Sequence, residues 1–286
     1  GTINLPKQFS EKIRPDLIRK ANEVIESNKR QSYGAYLGAG TRASVDISRR
    51  RRNFKGAYGK GMSRVPRKTL WRRGTQFGWV AAFGPNVVSG RRAHPPKGSK
   101  DYSKKINKKE NRLAIRSAIS STVIPDAVKL RGHLFVDLIS VIEGKAESIS
   151  KTKEFVALLE KLNLHEELAR VAERKVRHGR GKMRNRKYKG KKGPLIVVSK
   201  NCSLSNAAIN VEGVDICEVK NLNVNILAPG GNPVRLTIFT EEAIKKMESD
   251  NLFFTNQKKT KQEPEKKEIK KENVKKQPAI KKAVKK

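Results

Sequence analysis

The sequence predicts an α/β fold: a three-layer sandwich with a mainly parallel sheet, plus a long extended basic loop and a disordered lysine-rich C-terminal tail. Three observations carry this expectation. Strand-like and helix-like patterns alternate over residues 105–250, the arrangement that places helices over a parallel sheet. Leu195-Ile-Val-Val198 is a short continuous apolar run, the mark of a strand covered on both faces. Between Asp46 and Asp101, fifty-four consecutive residues hold fifteen lysines and arginines and no carboxylate. That segment has no internal partner for its charge.

Taken in order, the elements read as follows. Leu17, Ile18, Ala21, Val24 and Ile25 repeat at helical spacing behind Pro15, which predicts a core-facing helix with proline in its first turn. From about Tyr33 to Pro96 the apolar residues follow no helical or strand period, and the eight glycines of the acid-free stretch are costly to order. Leu113, Ala114, Ser117, Ala118 and Ser121 restore a helical face, which Pro125 stops. Leu134 to Ile139 reads as a strand. Thr152 to Leu162 reads as a helix, with Phe155, Leu158, Leu159 and Leu162 on one face, and a second helix is expected over residues 165–176. Residues 206–211 look helical, and residues 214–217 and 236–239 look like short strands. Thr240 is placed to cap a last helix, 241–247, with Glu241 and Glu242 in its first turn. Residues 1–35 and 97–256 are thus expected to form one discontinuous globular domain, with 36–96 as an excursion from it. Residues 257–286, rich in lysine, glutamate and proline, read as a disordered basic tail.

Composition narrows the function. The 286 residues carry 65 Lys+Arg against 27 Asp+Glu, a formal net charge of +38. Such a balance favours a polyanionic partner, nucleic acid above all. No stretch approaches the ~20 apolar residues of a spanning helix, and no amphipathic basic helix carries the charge. Cys202 and Cys217 stand far from any Cys-x-x-Cys pattern, and His94, His133, His165 and His178 are scattered. Two reduced, partly buried thiols are expected, with no metal site. With no secretory signal, the expected compartment is the reducing cytosol. The sequence opens on Gly1, not methionine, so an upstream start is expected.

No catalytic constellation emerges. Gly38-Ala-Gly40-Thr-Arg-Ala43 has the letters of a dinucleotide fingerprint, but no strand precedes it and no acid follows at the required distance. Gly56 to Ser63 resembles a phosphate loop in composition only. Nothing like G-x-S-x-G positions a nucleophile. The carboxylates read as mostly spread along helix surfaces, in solvation and local ion pairs. The chain is therefore taken as a non-enzyme with no cofactor, small-molecule substrate or membrane partner, and not as a homo-oligomer.

RNA binding fits the rest. Within the acid-free stretch the candidate contacts are Arg49, Arg50, Arg51, Arg52, Lys55, Lys60 and Arg64, then Arg67, Lys68, Trp71, Arg72 and Arg73, and finally Arg91, Arg92, His94 and Lys97. Arginine forks suit phosphate oxygens, and lysines neutralise charge without directional demand. Phe54, Tyr58, Trp71, Phe77, Trp79 and Phe83 lie among these cations. They can stack on unpaired bases or form a small cluster of their own. A second acid-free zone starts at Arg174. Its cationic part, residues 174–193, supplies Arg177, Arg180, Lys182, Arg184, Arg186, Lys187, Lys189, Lys191 and Lys192 as further contacts. The clusters Arg49–Arg52 and Arg91–Arg92 are expected at the base of the long loop, where it enters and leaves the RNA. The alternative reading is a general nucleic-acid compaction or chromatin-type DNA-binding protein, which would bind duplex DNA with little preference.

Several strings agree with one family. Arg14-Pro-Asp-Leu-Ile18, Gly90-Arg-Arg-Ala-His-Pro-Pro-Lys97, Arg131-Gly-His133 and Gly181-Lys-Met-Arg-Asn-Arg-Lys-Tyr188 match in order. Leu227-Ala-Pro-Gly-Gly231 and Arg235-Leu-Thr-Ile-Phe-Thr-Glu241 complete the set. The chain resembles the universal large-subunit ribosomal protein four family in its archaeal type, over about residues 5–250. The resemblance implies an α/β domain held in large-subunit rRNA beside neighbouring ribosomal proteins, in the cytoplasmic ribosome. It also implies that residues 36–96 line the nascent-polypeptide exit tunnel near its constriction. By the family pattern the tip lies near residues 64–73, making Arg67, Lys68, Trp71, Arg72 and Arg73 tunnel-wall candidates. Residues 75–88 and the lysine-rich tail depart from that pattern.

Overall fold

The structure is a computed structural model that describes residues 3–138, 140–231 and 234–254. Helix α1 (Pro15–Lys29) starts on its proline and buries Leu17, Ile18, Ala21 and Val24. In the acid-free stretch, β1 (Arg67–Arg73) and β2 (Gln76–Ala81) form an antiparallel hairpin. Helices α2 (Lys108–Ser121) and α3 (Pro125–Leu130) follow, and Pro125 opens α3 as well as closing the segment before it. Strand β3 (Val141–Ile142) leads to α4 (Thr152–Lys161) and α5 (His165–Ala172). A second hairpin joins β4 (Lys175–Val176) to β5 (Tyr188–Lys189). The chain ends through β6 (Leu195–Val198), α6 (Ser203–Ala208), β7 (Asp215–Glu218), α7 (Val224–Leu227), β8 (Thr237–Thr240) and α8 (Glu241–Ser249).

The main sheet runs β3-β8-β6-β7, with every pairing parallel. Strand β6 is interior to it, with Leu195 opposite both Thr237 and Asp215, and all four of its residues are buried. Burying an aliphatic side chain of this size stabilises by about 1.5–3 kcal/mol. Phe155 and Leu159 of α4 reach the same core, and Leu158 and Leu162 pack at its margin. Thr240 caps α8 as expected, its Oγ1 accepting from the Ala243 N–H at 3.2 Å.

Four readings of the sequence need correction. Residues 134–138 form no strand; the edge strand is β3, two residues long. The Leu134 N–H that a ladder would use goes instead to Glu167 Oε2, at 3.0 Å. Residues 175–176 belong to a hairpin, not to α5, which stops at Ala172. Helix α6 begins and ends three residues earlier than read. The acid-free stretch does contain a strand pair: β1 is exposed from Thr69 to Arg73, so no buried face marks it in the sequence, and its register slips between Thr69 and Trp71. Such a bulge interrupts the alternation on which the reading depends. Among the carboxylates of the described residues, Glu147 and Glu167 are the buried exceptions. The tail read at 257–286 lies outside the described residues.

Candidate nucleic-acid interface

The long loop closes on a stem. The Ala35 N–H donates to the Pro96 carbonyl at 3.0 Å. Gly40 (φ +75°) lies so close to the returning limb that a Cβ there would be 2.5 Å from the Arg91 Cα. Only glycine meets both demands at that point. Arg91 and Arg92 thus sit in the stem, as expected. Arg49–Arg52 do not. They lie farther along, beside a turn in which the Ser48 N–H bonds the Lys55 carbonyl, next to a bridge between Asp46 and Arg67.

The hairpin carries two different aromatic arrangements. Phe77 meets Phe54 and Trp79 edge-on, with centroids 5.3 and 5.2 Å apart. Arg67 lies over Trp79 at 5.6 Å and Arg72 over Phe54 at 5.8 Å. Phe54 therefore belongs to a local cluster, although it stays exposed. Trp71 lies apart from that cluster, against Gly78, where a Cβ would be 2.2 Å from the indole Nε1. Leu70 and Trp71 remain exposed at 60% and 52%. Lys68, Trp71, Arg72 and Arg73 share β1 with Arg67, whose Nη2 donates to Ser63 O at 3.1 Å.

Of the fifteen cations in the acid-free stretch, Lys55 alone has a carboxylate within ion-pair distance among the described residues, Asp46 at 3.7 Å. Arg49, Arg50, Arg51, Arg52, Lys60, Arg64, Arg72, Arg73, Arg92, His94 and Lys97 are all exposed. The charge is left to solvent or to a partner.

The second basic loop is fastened at its root and bare at its tip. Arg177 N–H bonds the Lys187 carbonyl at 2.7 Å, and Arg186 N–H bonds that of Gly181 at 3.1 Å. Arg180, Lys182, Arg184, Arg186, Lys187 and Lys189 are exposed. At the root, Lys191 pairs with Glu173, and Lys192 with Asp215 at 2.9 Å.

Beneath that root lies a buried charge network that sequence reading missed. Glu167 receives His133 Nδ1 at 2.6 Å, both Arg170 Nε and Nη2 (2.8 and 2.7 Å), and the Leu134 N–H. Arg170 Nη2 also donates to the Lys192 carbonyl at 2.8 Å. Arg235 is 1% exposed; its Nε and Nη2 donate to the Gly193 carbonyl, and its Nη1 to Asp215 Oδ2 at 2.6 Å. Burial alone would push the Glu167 carboxyl up. The hydrogen bonds from Arg170, His133 and Leu134 together outweigh it and hold the group below its ordinary range. Burial lowers the Arg235 guanidinium, against the opposing pull of Asp215. Two signals were available. Arg235 interrupts an apolar run between Val234 and Leu236, and Glu167 shares the stripe of Leu164, Leu168 and Val171.

Cys202 and Cys217 are free thiols, and burial pushes Cys217 up to about 11. Among the described residues no cluster of three or more His, Cys, Asp or Glu could hold a metal, and no helix is long and apolar enough to cross a membrane.

Comparison with known proteins agrees with the strings quoted above. The model of the ribosomal protein L4/L1 family matches residues 3–250. The large ribosomal subunit protein uL4 of Nanoarchaeum equitans is 49% identical over 255 residues, covering 89% of this chain and 95% of that protein. The protein of the same name from Pyrobaculum aerophilum is 44% identical over 86% of this chain and 84% of its own length. That of Methanococcoides burtonii is 43% identical over 87% and 93%. The chain therefore belongs to the ribosomal protein L4/L1 family, in its archaeal type.

Proposed function

We propose that this chain is a structural constituent of the large ribosomal subunit, where it binds and stabilises large-subunit rRNA. The observation that carries the reading is the bare charge of the acid-free stretch, fifteen cations with a single carboxylate neighbour among the described residues, on a chain of this family. RNA phosphates supply the missing counter-charge, and each neutralised phosphate releases counterions.

In this reading residues 1–35 and 97–256 are the anchoring domain, a three-layer sandwich. Residues 36–96 run into the RNA and line the nascent-polypeptide exit tunnel near its constriction. Arg67, Lys68, Trp71, Arg72 and Arg73 form the tunnel wall; β1 carries all five, with Trp71, Arg72 and Arg73 toward the turn at Gly74 and Arg67 and Lys68 at the hairpin's base. Residues 174–193 grip RNA nearer the surface. The partners are large-subunit rRNA, neighbouring ribosomal proteins and the nascent peptide, in the cytoplasm. The role is structural and involves no catalysis.

Sedimentation of a cell extract through sucrose gradients, at moderate and then high salt, tests this. The chain is expected to move with large subunits in both conditions. Migration as free protein, or in a DNase-sensitive complex, would overturn the assignment.

A further inference from the structure

Where the long loop leaves the globular part there is a cleft of about 590 Å³, within the ~300–1,000 Å³ range of small-ligand sites. Tyr33 and Tyr102 line it with parallel rings, centroids 6.4 Å apart and planes 5° from parallel. Arg92, His94, Lys97 and Lys100 line the rest. None of Arg92, Lys97 and Lys100 has a carboxylate within ion-pair distance among the described residues. The nearest acid in sequence, Asp101, accepts from the Ser103 N–H and hydroxyl at 2.8 and 2.9 Å. It is committed to its own turn.

This platform is fixed to the core. Arg30, which ends α1, places its guanidinium 4.1 Å from the Tyr102 ring centroid and 5.7 Å from that of Tyr33. Ser27 Oγ donates to the Tyr102 carbonyl at 2.5 Å, and the Lys104 N–H donates to Asn28 Oδ1 at 2.8 Å. Lys104 also pairs with Glu23. A rigid, exposed aromatic face beside unpaired cations is what a nucleotide needs: a surface for the base and donors for its phosphate. Rigidity before binding spares the cost of ordering the site.

We infer that this cleft receives a single unpaired nucleotide of the bound RNA, its base stacked on the exposed Tyr33 face and its phosphate held by Lys97, Lys100 and Arg92. The inference rests on the RNA-binding reading above and adds a base-sensing contact to a surface otherwise read as phosphate-binding. Tyr33, Tyr102 and Lys100 are absent from the candidate contacts named from the sequence. An acidic protein segment would satisfy the lysines but would leave the tyrosine face without a planar partner.

The test uses the full-length chain and a single-stranded RNA carrying a photoreactive base, with adducts located by mass spectrometry. An adduct is expected on Tyr33 or Tyr102, retained in Tyr33→Phe and lost in Tyr33→Ala. Affinity at this site should fall roughly 5- to 150-fold in the alanine variant. Adducts confined to the hairpin and to residues 174–193 would overturn the inference. So would equal occupation by polyglutamate of matched charge, insensitive to Tyr33→Ala. The two readings fail separately. Large-subunit particles that contain the chain but yield no adduct at either tyrosine refute the nucleotide cleft alone. An adduct on the free chain, in cells where it does not sediment with large subunits, refutes the ribosomal assignment alone.

Discussion

The sheet region and the long loop handle charge in opposite ways. Around the sheet the buried ions are compensated in place: Glu167 by Arg170 and His133, Arg235 by Asp215, and Glu147 by hydrogen bonds from Ser199 and Thr240. In the acid-free stretch only one of fifteen cations, Lys55, has a carboxylate within ion-pair distance among the described residues, and order comes from glycine close approaches, a short hairpin and an aromatic cluster. A charge in low dielectric must be neutralised on the spot, whereas one in water can wait for a partner. The difference separates what stabilises the fold from what, in the proposed reading, is offered to RNA.

The comparison breaks most visibly at Glu167. Glu167→Ala would leave Arg170 and buried His133 without their anion, a loss of about 3–5 kcal/mol for a broken buried pair. Chemical denaturation measures it. The same substitution should free Arg170 from its anchor and loosen its hold on the Lys192 carbonyl, so protease cutting within 174–193 is expected to speed up. The pH dependence has a definite sign. The folded-state Glu167 carboxyl lies below its ordinary value of 4.5, so its contribution is complete above that value and is lost as pH falls through the lower folded one. In Glu167→Gln that part of the acid slope should vanish. An unchanged slope would place the acid sensitivity in Asp215 or Glu147, which are also held low.

A smaller effect is expected at Thr240. Its Oγ1 caps α8 and also donates to buried Glu147 at 2.6 Å. Thr240→Ala removes a cap and leaves part of a buried carboxylate unsatisfied, costing about 1–3 kcal/mol. A loss near zero would mean that Ser199, which bonds the same carboxylate at 2.9 and 2.8 Å, suffices.

The loop should behave differently. Gly78→Ala forces a Cβ into the Trp71 indole, so Trp71 must move. Tryptophan fluorescence should shift while global stability changes by no more than about 0.5 kcal/mol. Replacing Arg49–Arg52 by serine should leave stability unaltered within the same margin. It should flatten the salt dependence of RNA binding, by up to about 0.9 in the log–log slope for each phosphate no longer neutralised. A steep stability loss in this variant would show that the loop contributes to the fold after all.

These regions also differed in how legible they were. The run at 195–198 and the Thr240 cap could be read directly, because a buried parallel strand and an N-cap each leave a local pattern. The false strand at 134–138 arose because Phe135 and Leu138 pack on the core without a ladder, their neighbour's N–H spent on Glu167. Strands β4 and β5 are two residues each and pair across a cationic loop, leaving almost no local signal. Hairpin β1–β2 was masked by its bulge and by the charge around it. The candidate basic contacts were nominated from the missing carboxylates alone. The Tyr33–Tyr102 platform was not, since its two halves are separated by the whole loop.

Hydrogen exchange on the full-length chain, free and within purified large-subunit particles, tests the division most directly. Amides of β6 and β8 are expected to be strongly protected in both states. An isolated two-stranded hairpin is marginal in water, so amides of β1 and β2 should exchange quickly in the free chain and slowly in the particle. Hairpin amides as protected in the free chain as those of β6 would contradict the claim that the loop's charge depends on RNA for its compensation.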